Sequence, residues 1–295
     1  MIKFIIIFIL FLSYFLIIIY YERYDLIIGK IKIGYYSRSI RYGGVEWVIA
    51  LLINLLSKEK YFNIYLITDN KKSDGEYKIP NFINRICLSD NKKNIFDVIN
   101  EEKLDIIIYN FYNLNVIKQL NPLNKTKTIF YNHSSFLYWV FNKKINFNET
   151  IYPAYKNSKY VISLIPFEND YLFKKWGINS ILMDNPISFE YDSVKPSSLS
   201  NKNIIMIGLI DDPVKRYDLG IKAMSSISKK IADCKMKIIA DKSKKIINLI
   251  KDLKLENNIE FTGFQKNIGI FLNNASLHKL LSLYYHSKLC LRRNY

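Results

Sequence analysis

A chain of 295 residues is long enough for two domains of ordinary size, and 49% hydrophobic content excludes a disordered polymer. The formal net charge of +17 comes from lysines spread along a chain rich in Ile, Asn, Lys and Tyr, with no dense basic block interleaved with aromatics. That pattern argues against nucleic acid and for cations on solvated faces, with an anionic membrane surface or a nucleotide phosphate as the other partners such a charge suits. Cys87, Cys234 and Cys290 are odd in number and far apart, and His133, His278 and His286 form no ligand cluster. Neither a disulfide framework nor a metal centre is expected, and Cys87 and Cys234 read as buried thiols.

In chain order, residues 2–21 are apolar apart from Lys3, Ser13 and the tyrosines, and their length matches a membrane-spanning helix. A cleaved leader would have a shorter apolar region ending in small residues, whereas Tyr20, Tyr21, Glu22 and Arg23 follow here. The expectation is an uncleaved signal anchor over 1–23, with its N-terminus cytosolic; the side faced by the body of the chain stays open. Asn124, Asn132, Asn148 and Asn274 each begin an Asn-x-Ser/Thr triplet, which in so Asn-rich a chain does not decide that side.

A first α/β domain is expected over 30–188. Strands are predicted at 31–36, 62–68, 85–88, 105–109, 128–131, 160–165 and 180–184, and helices at 45–56, 95–102, 114–120 and 168–175. Gly43-Gly44 lies between the first strand and its helix, where backbone N–H groups at a helix start suit an anion; a plain tight turn would look the same. Glu46 in the first helical turn reads as a stabiliser of the helix dipole. His133 follows the strand at 128–131, and such positions line the ligand crevice of an open parallel sheet. The competing reading is a histidine that satisfies polar groups at a strand end. Phe136, Tyr138, Trp139 and Phe141 read as core at this spacing, with stacking on sugar faces as the alternative.

A Ser-rich stretch with Pro196, 189–202, reads as a linker. Beyond it, strands are expected at 203–207, 236–240 and 259–262, and helices from Tyr217 and over 243–253. Gly208 turns the chain after the first of these strands, and Lys215-Arg216 precede the helix. A strand, a glycine turn and a helix start with two cations form a phosphate-holding arrangement.

The runs "IGLIDDPVKRYDLGIKAM", "MKIIADKS", "LKLENNIEFTGF" and "NNASLH" resemble, in order and spacing, the donor domain of family 4 glycosyltransferases, and "GGVE" resembles the loop of their acceptor-side domain. The resemblance implies a GT-B architecture of two Rossmann-like domains. It also implies transfer of a sugar from a nucleotide-diphosphate donor to a glycan or lipid-linked hydroxyl acceptor, with retention and with no cofactor or essential metal. By the same resemblance Gly43, Gly44, Gly208, Lys215 and Arg216 face the donor phosphates, and His133 lies near the transferred sugar. Two departures stand out. Leu209 occupies the place of an expected Arg, and no Glu follows Glu260, so the family's paired glutamates are missing. The second domain, 203–295, is therefore expected to be incomplete. A catalytically inactive, membrane-tethered binding protein is the alternative.

Overall fold

The computed structural model describes residues 30–41, 43–110, 127–133, 146–186, 201–212, 215–231, 233–265 and 268–278. The chain divides into two compact units between Pro186 and Ile187.

The first unit is built on seven strands: β1 (Ile31–Ser37), β2 (Phe62–Thr68), β3 (Asn84–Cys87), β4 (Ile106–Tyr109), β5 (Lys127–Asn132), β6 (Tyr160–Ser163) and β7 (Ser180–Leu182). They lie in the order β3-β2-β1-β4-β5-β6-β7, and every pairing is parallel. Apolar runs such as Ile106–Tyr109, buried at every position, are what a strand covered on both faces requires. One face carries α1 (Gly44–Leu56) over Ile33, Leu66, Ile106 and Ile129. The other carries α3 (Ile95–Glu102), α4 (Tyr152–Asn157) and α5 (Pro166–Trp176) over Tyr36, Ile107, Tyr109 and Phe130. A short α2 (Leu88–Asn91) lies between β3 and α3.

Local chemistry sets the element ends. Asn94 and Asp97 form a reciprocal capping box at the start of α3. Pro166 opens α5, and Gly177 closes it with a positive φ of 65° that glycine adopts without strain. The strand expected over 160–165 stops at Ser163, because its hydroxyl accepts the N–H of Ile165 at 3.2 Å and turns the chain toward Pro166. The strand expected to include Leu88 ends at Cys87, since the Ser89 N–H is drawn to the Asp69 carbonyl at 3.3 Å. Sequence periodicity misses the π-turn Phe147–Ile151 and α4, both too short to show a period; the Asn146 side chain, accepting from the N–H groups of Asn148 and Glu149, starts that segment.

The second unit holds β8 (Asn203–Ile207), β9 (Lys235–Ile239), β10 (Ile259–Phe261) and β11 (Leu277–His278) in the order β10-β9-β8-β11, again all parallel. Its helices are α6 (Tyr217–Ser228), α7 (Lys244–Asp252) and α8 (Gly269–Asn273). Ile221 and Met224 of α6 and Ile246 and Ile250 of α7 close the core over Met206, Met236 and Ile238. Cys87 and Cys234 are buried thiols outside any disulfide, as their apolar surroundings in the sequence imply.

The apolar run 2–21, the helix expected at 114–120, the aromatics of 136–141 and all of the linker 189–202 but its last two residues lie outside the described residues. Among the described residues no helix is long and apolar enough to cross a membrane.

Candidate functional site

In the first unit the chain leaves β1 toward β2 on one side, then returns to place β4 on the other. The carboxyl ends of β1 and β4 therefore flank the point where the strand order reverses, the position at which open parallel sheets hold ligands. Buried polar side chains gather along this edge: Ser37, Asn110, Asn132, His133 and Ser163.

His133 is at the centre of a defined network. Asn110, just past β4, donates its amide nitrogen to the carbonyls of Tyr36 (3.4 Å) and Ile108 (3.3 Å). Its oxygen is thereby turned to His133 Nε2 at 3.0 Å, so Nε2 carries the hydrogen. On the other side Nδ1 lies 3.1 Å from Asn185 Oδ1, which also accepts the Tyr131 hydroxyl at 3.1 Å, and the Tyr131 ring lies 4.0 Å from the imidazole. Acceptors on both nitrogens favour an imidazolium, yet His133 is only 3% exposed, and burial holds its pKa at about 4. Desolvation wins, and the ring is neutral at pH 7. Asn110, Tyr131 and Asn185 escape sequence reasoning. Their only signal is position, each at or just beyond the end of an apolar strand.

The α1 N-terminus lies at the same edge. Gly43 has an extended φ of −176°, so its lack of a side chain is a matter of space. A Cβ there would stand 1.9 Å from Glu46 Oε2, because the Glu46 carboxylate folds back over the first turn of the helix. Burial raises the pKa of that carboxyl. At Gly44 a Cβ would meet nothing within 4 Å, which leaves open space beside the helix start. Tyr77 packs its ring on Trp47 at 5.0 Å, and burial raises its pKa beside the Gly43 backbone and Glu46. The Trp47 indole N–H is buried without a hydrogen-bond partner.

In the second unit Gly208 has a φ of +146°, a region that side chains avoid, so glycine is required there. The aliphatic stem of Lys215 passes alongside it, 3.5–3.6 Å from where a Cβ would be. Burial lowers the Lys215 pKa, and Asp212 opposes that shift. Tyr217, the buried first residue of α6, donates its hydroxyl to the Gly208 carbonyl at 3.0 Å and ties the turn to the helix start. Gly208 and Lys215 thus come together as the spacing implies. Arg216 does not join them: its Nε and Nη2 grip the Asp218 carboxylate at 2.9 Å each. That pairing lowers the Asp218 pKa. Leu209, beside the turn, is 64% exposed. Among the described residues no His, Cys, Asp or Glu group is arranged to hold a metal ion.

The parallel α/β fold matches that of solved GT-B glycosyltransferases. Residues 190–287 match the family model described as "Glycosyl transferases group 1". Anabaena HepE in complex with UDP and glucose superposes with a TM-score of 0.61 at 13% identity, over 85% of this chain and 74% of that one. An S. aureus TarM mutant in complex with Fondaparinux, alpha-GlcNAc-glycerol and UDP gives 0.63 at 12% identity, over 85% and 80%. The lipopolysaccharide outer core galactosyltransferase WaaB gives 0.56 at 15% identity, over 85% and 74%. No curated protein matches the sequence.

Proposed function

We propose that this protein transfers a sugar from a nucleotide-diphosphate donor to a hydroxyl acceptor on a glycan or lipid-linked glycan, with retention of anomeric configuration. The observation that carries the reading is the Gly208 turn with Lys215 laid along it at the start of α6, inside the stretch that matches the glycosyl transferase group 1 model. Complexes of similar folds with UDP support the same donor class.

In this reading Lys215 and the α6 N–H groups neutralise the charge that grows on the leaving diphosphate, a stabilisation worth most where water is excluded. Tyr217 holds the Gly208 carbonyl so that the turn keeps its shape. Within the first unit, the start of α1 at Gly43 and Gly44 is proposed as a phosphate contact, one where an incoming phosphate must displace the Glu46 carboxylate. Neutral His133, whose two nitrogens already face asparagine oxygens, is proposed near the transferred sugar as a buried part of the wall behind it and not as a proton carrier, because its pKa lies far below neutrality. Residues 2–21 are proposed as a membrane tether with a cytosolic N-terminus.

The deciding experiment is calorimetric titration of the full chain in detergent against UDP-, GDP-, ADP- and dTDP-sugars. One donor is expected to bind, and Lys215→Ala is expected to weaken it by at least about tenfold, the scale of one charge-assisted phosphate contact. Unchanged affinity and turnover in the variant would remove Lys215 from the site, and silence with every donor would remove the enzyme reading.

A further inference from the structure

Parallel pairing sends every strand start of the first sheet to one edge, opposite the polar edge described above. Along six adjacent strands that edge carries at least one lysine each, among them Lys60 ahead of β2, Lys30 ahead of β1, Lys103 ahead of β4, Lys127 opening β5, Lys159 ahead of β6 and Lys175 ahead of β7. Scattered in sequence, these lysines become a row roughly 24 Å long at ordinary strand spacing. All but Lys127 are exposed. Glu59 and Glu101 are the exposed acids nearby, Glu101 being paired with Lys93. The Asp105 carboxylate is turned inward to the Lys32 N–H at 2.9 Å. At the carboxyl edge, by contrast, the exposed Asp74, Asp90 and Asp184 stand among the cations, Asp90 paired with Lys71.

Aromatic side chains accompany the row. Tyr61 and Phe82, ahead of β2 and β3, are 73% and 71% exposed, and Lys175 lies 5.4 Å from the Trp176 ring centre. Exposed rings beside lysines fit the headgroup layer of a bilayer, where one end of the side chain is apolar and the other wet. The described chain enters the first sheet at this same edge, through Lys30 into β1, and the apolar run 2–21 precedes it in the sequence.

We infer that the amino-terminal edge of the first sheet is a docking surface for an anionic lipid bilayer. Each lysine near such a surface adds attraction that salt screens, and together they orient the domain with its carboxyl edge away from the membrane. The inference stands apart from the donor chemistry.

The test uses the full chain and two kinds of vesicle, phosphatidylcholine alone and phosphatidylcholine doped with phosphatidylglycerol. The apolar run holds the chain to both, so the quantity read is the preference for the anionic vesicles. The intact protein is expected to prefer them by at least about tenfold at low salt. The triple change Lys60→Gln, Lys103→Gln, Lys175→Gln is expected to abolish that preference, with an unchanged melting temperature. The triple change Lys71→Gln, Lys72→Gln, Lys92→Gln, at the other edge, is expected to keep it. Equal binding to both vesicles, or equal loss in both triples, overturns the inference. So does a first triple that loses affinity for a DNA duplex while keeping its vesicle preference.

Discussion

The two units use the same parallel layering but spend their polar groups differently. In the first, His133 donates to Asn110 and Tyr131 donates to Asn185, whose oxygen also faces the imidazole, in a buried cluster at the strand ends. In the second, the turn at Gly208 is fastened from behind by Tyr217, with Lys215 alongside and Leu209 turned to solvent. A polar residue at a strand end can therefore serve rigidity or ligand contact, and the difference lies in where its hydrogen bonds go. The first arrangement predicts large effects on stability, the second effects on binding.

The sharpest break of the comparison is His133→Ala. It leaves the Asn110 and Asn185 oxygens facing a cavity and is expected to cost about 2–4 kcal/mol in urea unfolding. If stability barely moves while donor turnover collapses, the network is a site and not a brace.

Acid should act through the same ring. The folded pKa of about 4 lies below the ordinary 6.5, so the folded state binds the proton less readily than the unfolded one. The contribution of His133 is therefore complete above about pH 6.5 and declines as the pH falls toward 4, by up to about 3 kcal/mol. Comparing the pH dependence of unfolding midpoints in the parent and in His133→Gln isolates this slope. Parallel curves would mean that the ring titrates normally.

Tyr217→Phe probes the second unit. Loss of one hydroxyl on a buried carbonyl is expected to cost about 1 kcal/mol of stability. Donor affinity should fall several-fold while the maximal rate holds, read from the separate responses of KM and kcat. The smallest effect is expected at Arg216→Ala, less than twofold in donor affinity by titration, because its guanidinium already grips Asp218. A loss as large as that of Lys215→Ala would show that Arg216 changes partner when donor arrives.

Much of the architecture was legible in the linear chain because its signal is local. Unbroken apolar runs such as Ile106–Tyr109 announce doubly covered strands, and the helix from Tyr217 begins where its apolar face begins. The glycine at 208 and the lysine at 215 were readable too, since a turn between strand and helix requires a backbone that few residues adopt and leaves N–H groups for charge to complement. Tertiary structure alone decided which cation stays beside the turn and which is captured by a neighbouring carboxylate. It also decided that a histidine sits between two asparagines more than twenty and fifty positions away. Those pairings depend on which strand ends become neighbours, and hydrophobic periodicity carries no record of that order.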